Sequence, residues 1–157
     1  MRGEVGDRLR ELVSELPSVP NPAGSYISAT SAASLLFTAG QLPSEEGQLR
    51  YTGKVGKDVS VEEAKEASRL CTLNALAAVE AEAGSLENVR RVVKVTGYVA
   101  SAAGFNRQPE VINGASNFLG EVFGERGTHA RSAVGVAELP LDAPVEVELI
   151  VELTLSS

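Results

Sequence analysis

Apolar and polar positions alternate most regularly near the end of the chain, in His129 to Glu152, which reads as two strands joined by a proline-bearing turn. Period-2 alternation sends successive side chains to opposite faces of a sheet, so Val145, Val147, Leu149, Val151, Leu153 and Leu155 share a core face. Glu146, Glu148, Ile150, Glu152 and Thr154 share the other. In the preceding strand, placing Val134 and Val136 toward the core leaves Arg131, Ala133, Gly135 and Ala137 on the opposite side. Arg131 and Glu146 are then both expected to point away from the helices. A face of small residues, one arginine and several carboxylates is neither a monomer core nor an ordinary solvated surface, so another subunit is expected to cover it.

Earlier segments follow the same logic. Val5, Leu9, Leu12, Val13 and Leu16 recur at helical spacing and predict a short amphipathic helix over Glu4 to Leu16, part of an N-terminal extension over residues 1–17. Pro17, Pro20 and Pro22 stop it, leaving Ser18 to Ser25 as an irregular connector that delivers Tyr26. Leu35 to Ala39 reads as a buried strand running into a turn through Gly40, Gln41 and Pro43, and Ser44 to Asp58 as loop with at most a short strand. Ser60 and Glu63 form a capping box, and the helix they open runs to about Ala83 and closes at Gly84. Its face of Ala64, Ala67, Cys71, Ala75 and Ala78 permits close packing on a sheet. Arg91 to Ala100 is the next strand, with Val93, Val95 and Val99 alternating with Lys94, Thr96 and Tyr98. Pro109 opens a second helix to about Phe123, ended by Gly124, with Val111, Ile112, Ala115, Phe118, Leu119 and Val122 as its apolar face. Two long helices on one face of a mostly antiparallel sheet make a two-layer α+β domain.

The 157 residues suit one such domain. A net charge of -7 with no basic block disfavours nucleic acid and anionic membrane as partners. With no continuous apolar run of bilayer length and no signal pattern at the start, the expectation is a soluble, cytoplasmic protein. The lone cysteine, Cys71, cannot form an internal disulfide and reads as a buried thiol. His129 is the only histidine, which leaves no histidine-rich metal site; a structural role is expected for it. Gly53-Lys54 is followed by Val55 and lacks the hydroxyl residue of a phosphate loop.

Thr38-Ala-Gly-Gln-Leu-Pro43, Arg131-Ser132, Leu139-Pro140 and Val145-Glu-Val-Glu148, in this order and spacing, resemble the RidA family, also called YjgF/YER057c/UK114, in its longer subgroup of roughly 150 residues. The resemblance implies a chorismate-mutase-like fold, a homotrimer with clefts between subunits, no metal or other cofactor, and hydrolysis of reactive enamines and imines to 2-keto acids and ammonia. By the same resemblance, Arg131 anchors the substrate carboxylate, Glu146 positions the attacking water, and Tyr26 and Gly40 border the cleft. Arginine suits that role chemically, because its planar fork pairs bidentately with a carboxylate. Parity alone does not separate Glu146 from Glu148. Ala133 is a departure, since family deaminases commonly carry cysteine or asparagine there; a backbone role would survive alanine and a side-chain role would not. The alternatives are a protein that binds a small carboxylated metabolite without turnover and, against the acidic balance, a ribonuclease.

Overall fold

The computed structural model describes residues 3–155, so the first two residues of the expected N-terminal extension lie outside the described part. The elements in chain order are α1 (Glu4–Leu12), β1 (Ala29–Ala32), β2 (Leu35–Thr38), the small hairpin β3 (Ser44–Glu45) and β4 (Gln48–Leu49), α2 (Val61–Ala83), β5 (Val89–Ala100), α3 (Gln108–Phe123), β6 (Ala130–Val136) and β7 (Val145–Leu153). Five strands form one sheet in the order β1-β2-β7-β5-β6. Its neighbours are antiparallel except β5 and β6, which run parallel and are joined by α3. The two-layer α+β expectation holds, with β5 lying between the two strands of the C-terminal stretch.

Local chemistry sets the element ends. Ser60 Oγ accepts from the Glu63 amide at 3.1 Å and Glu63 Oε1 accepts from the Ser60 amide at 3.1 Å, closing the capping box. Gly84 ends α2 in the left-handed region at φ 84°. Every residue from Cys71 to Val79 is buried, because this part of α2 is enclosed by the sheet, α3 and the loop at Leu42–Ser44.

Val145, Val147, Leu149 and Val151 line the core as expected, each at most 1% exposed. Leu155 does not: β7 ends at Leu153, and Leu155 is 71% exposed. In β5 the pairing shifts between Val92 and Lys94, so Val92 is buried and Val93 only partly so, a bulge that simple alternation does not anticipate. The first helix stops at Leu12, and Leu12, Val13 and Leu16 pack on the core from its end and beyond.

The larger correction concerns β6. Its register sets Arg131 beside Val95, Ala133 beside Gly97 and Gly135 beside Val99, all helix-side positions. Val134 therefore points to the outer face and is 44% exposed. The reason is space. A side chain at Gly97 would meet Ile112 of α3 at 2.4 Å, and one at Gly135 would meet Gln108 at 2.7 Å, so α3 leaves room beneath it only for small residues.

α2 and α3 also approach closely. A Cβ at Gly114 would lie 2.1 Å from the carbonyl oxygen of Lys65, whereas one at Gly120, also in α3, would meet nothing within 4 Å. Gly114→Ala is therefore expected to lower stability by about 1–3 kcal/mol through overpacking, despite the roughly 1 kcal/mol by which alanine exceeds glycine in a helix. Gly120→Ala should be neutral or stabilising. Urea denaturation of the pair checks this, and equal effects from both would remove the packing explanation.

Candidate functional site

The site residues expected from sequence fall into two groups at different places on the sheet. The first forms around an irregularity between β2 and β7. Phe37 pairs with Ile150, Thr38 Oγ1 accepts from the Leu149 amide at 2.9 Å, and Gln41 pairs with Val147 through backbone bonds of 2.8 and 3.0 Å. Ala39 and Gly40 thus oppose the single residue Glu148. This is a β-bulge. The Ala39 amide turns away from the ladder to Ser28 O at 2.8 Å, and the Glu146 carboxylate lies over Gly40. A Cβ at position 40 would come within 2.3 Å of Glu146 Oε2, so glycine here is a condition for that carboxylate's position.

The two carboxylates that parity leaves equivalent have different surroundings. Glu148 Oε1 accepts from Tyr98 Oη at 2.7 Å, a bond that, with burial, pushes the tyrosine hydroxyl up to about 12. Glu146 receives no hydrogen bond from any described residue. Burial first, and the charge of Glu148 second, raise its carboxyl above the ordinary value of 4.5. Glu146 is the unengaged group of the pair.

Tyr26 and Gly40 both line a cavity of about 410 Å³ between the proline-rich connector and the Gly40 to Leu49 segment. Asn74, 2% exposed, anchors its floor by donating to Leu42 O at 3.0 Å and Ser44 O at 2.9 Å. Tyr26 is 49% exposed, and its hydroxyl accepts from the Ala23 amide at 3.1 Å. Glu146 abuts Gly40 but is not part of the cavity lining.

The second group lies on the opposite face, on the edge strand β6. Arg131 does not join Glu146 as its expected placement requires; it packs against α3. Its Nη1 donates to Asn113 Oδ1 at 2.8 Å and to Ser116 Oγ at 3.2 Å, and its Nη2 donates to Pro109 O at 3.1 Å. All three acceptors are neutral, and no described carboxylate pairs with it. The Ala133 methyl packs against the core, which leaves its backbone as the part able to contact a ligand. His129 bridges Gly127 O at 2.6 Å and Ser116 Oγ at 2.9 Å.

Asn113, Ser116 and Tyr98 were not singled out from sequence. Asn113 and Ser116 follow Pro109 by four and seven positions, one helical stripe bordering the apolar face, but the sequence does not say what that stripe meets. Cys71 is the buried thiol expected, with Sγ 3.5 Å from Val145 O and its pKa pushed well up, chiefly by burial. Among the described residues no group of histidine, cysteine or carboxylate side chains could hold a metal ion, and no helix is long and apolar enough to cross a membrane.

A family profile described as YjgF/chorismate mutase-like, with a provisional endoribonuclease label, matches residues 7–153. The chain belongs to the RidA/YjgF family. Within this family it is similar to protein TCP17 of Trypanosoma cruzi, at 41% identity over 96% of this chain and 95% of the relative. It is also similar to the solved structure of Atu1372, a protein of unknown function from Agrobacterium tumefaciens, with a TM-score of 0.89 and 46% identity over 96% of this chain and 94% of the other. A 2-iminobutanoate/2-iminopropanoate deaminase of Dermatophagoides farinae is 32% identical over 86% of this chain and 91% of its own. The RidA/YjgF fold thus carries both groups of residues.

The raised pKa of Glu146 has a stability consequence of definite sign. A carboxyl whose folded pKa lies above its unfolded value binds more protons when folded, so stability falls as pH rises through the interval that starts near 4.5. Glu146→Gln is expected to be more stable than wild type at pH 7, with the advantage shrinking to nothing as pH drops below that interval. Urea denaturation of both proteins at pH 4 and pH 7 reads this, and a pH-independent difference would contradict the desolvated carboxylate.

Proposed function

We propose that the protein hydrolyses 2-imino and enamino acids to 2-keto acids and ammonia at clefts between copies of the chain in a homotrimer. The reading rests on one observation. A guanidinium without a carboxylate partner and a carboxylate without a donor stand on opposite faces of the same sheet. Neither can reach the other within one chain, so a second copy would have to bring Arg131 of one subunit toward Glu146, Gly40 and Tyr26 of another. The outer face also calls for cover, since Val134 at 44% and Phe37 at 36% exposed stand on it.

In this reading Arg131 holds the substrate carboxylate. Glu146 takes a proton from a water as the water oxygen bonds to the carbon of the protonated imine and the C=N electron pair moves to nitrogen, giving a neutral tetrahedral carbinolamine. It then returns that proton to the amine nitrogen and accepts the hydroxyl proton as the C–N bond breaks, so the carbon–oxygen double bond of the keto acid forms and ammonia leaves, carrying that last proton away as ammonium. A raised pKa suits a group that both accepts and returns a proton near neutrality. Ala133 does not obstruct the scheme, because its side chain is committed to the core. The relative named as a 2-iminobutanoate/2-iminopropanoate deaminase supports the substrate class. A net charge of -7 weighs against RNA as substrate.

The test is 2-keto acid release from freshly generated 2-aminoacrylate and 2-aminocrotonate. Wild type should accelerate release, and Arg131→Ala should lower kcat/KM by roughly 30- to 1000-fold, the loss of about 2–4 kcal/mol of charge-assisted bonding, while the oligomer keeps the mass of three chains in light scattering. Undiminished activity in Arg131→Ala would remove the anchor. No acceleration by a well-folded trimer that still binds 2-oxobutanoate would transfer the fold to a binding role.

A further inference from the structure

A serine or threonine hydroxyl within a helix commonly bonds the carbonyl one turn back, as Thr72 Oγ1 of α2 does with Ser68 O at 2.9 Å. Ser116 of α3 does not. It turns outward, 2.9 Å from His129 Nε2 and 3.2 Å from Arg131 Nη1. His129 Nδ1 lies 2.6 Å from Gly127 O, a carbonyl that can only accept, so Nδ1 carries a proton. In the neutral ring Nε2 then holds a lone pair and accepts the Ser116 hydroxyl proton, and the Ser116 oxygen is left to accept from Arg131. Each bond fixes the direction of the next, from Gly127 O through His129 and Ser116 to the guanidinium.

The network also selects one edge of Arg131. Nη1 donates to Asn113 and Ser116, and Nη2 donates to Pro109 O. Nε donates to no described residue, and Nη2 has a hydrogen beyond the one given to Pro109 O. These two form a planar side-on fork, the shape that meets a carboxylate bidentately.

We propose that Ser116 and His129 are positioning residues, which lock the Arg131 guanidinium so that its Nε–Nη2 edge faces the carboxylate of the substrate, with His129 carrying a proton on Nδ1. The proposal rests on the reading of Arg131 as a carboxylate anchor. Neither residue touches the reacting atoms, so their loss acts on binding and not on the chemical step.

Two measurements test it. Because His129 is the sole histidine, a nitrogen-15 spectrum of the labelled protein at pH 8 contains one imidazole. It should show Nδ1 protonated and Nε2 unprotonated; the reverse tautomer overturns the relay whatever the activity. Calorimetry with 2-oxobutanoate, the carboxylated keto acid, is the second. Ser116→Ala and His129→Ala should each weaken binding about tenfold, the worth of one hydrogen bond to a charged partner, and the double variant should lose no more than either, since both break one chain. His129→Gln, whose amide reaches the place of Nε2, should regain most of the loss. In turnover KM should rise while kcat stays within about twofold. If Arg131→Ala abolishes keto acid binding and the Ser116 and His129 variants leave it unchanged, the relay is wrong and the anchor stands. If Arg131→Ala itself binds like wild type, the anchor reading fails and the relay with it.

Discussion

Close approach of two helices to one sheet face is the constraint on which the rest of the structure depends. Full burial of a valine or leucine contributes about 1.5–3 kcal/mol, and the sheet offers a row of them in Val145, Val147, Leu149 and Val151. Covering that row with α2 and α3 at short range requires bare backbone at the contacts, seen where Gly114 meets the Lys65 carbonyl and Gly97 meets the Ile112 side chain. The same proximity decides what β6 can carry beneath α3. Ala133 and Gly135 fit there without displacing Ile112 or Gln108. Arg131, at the start of the strand, finds a polar stripe of α3 in place of apolar surface, and this makes a half-buried guanidinium tolerable.

From that arrangement follows the division of the candidate site. Arg131 faces the helices on an edge strand, while Glu146 sits on the outer face of β7, with β5 between them. A carboxylated substrate held by one chain's arginine would meet the glutamate of another. In the proposed trimer one association would satisfy both the demand for cover on the outer face, where Val134 and Phe37 stand exposed, and the demand for a complete site. The small residues that allow helix packing on one side displace the valines to the side where a neighbour would bury them.

Much of this was legible in the sequence because it is written locally. The capping box at Ser60 and Glu63, the glycine stop at Gly84, the proline opening of α3 and the alternation of β7 each depend on residues within one element. The faces of β6 were not legible. Assigning the larger apolar side chains inward is sound when a core has room, and it fails when a parallel neighbour and a close helix leave room only for alanine and glycine. The shift in β5 and the end of β7 before Leu155 belong to the same class, since each depends on partner strands and not on the strand's own pattern. The network behind Arg131 escaped notice because Asn113 and Ser116 look like ordinary polar positions until β6 is placed beside them.

The pair Glu146 and Glu148 shows how a shared face can still hold unlike groups. Both project outward from β7, one pleat apart, and strand parity does not separate them. Tyr98 on β5 resolves the symmetry: its hydroxyl donates to Glu148 and engages that carboxylate. The anion in turn adds to the burial that makes ionisation of Glu146 harder. In the proposed reaction the proton-accepting role falls to Glu146, because it is the carboxylate left without a donor while burial raises its carboxyl. The bulge completes the division. By setting Ala39 and Gly40 against Glu148 it brings a residue without a side chain under Glu146, so the carboxylate that lacks a partner is also the one given open backbone to lie on.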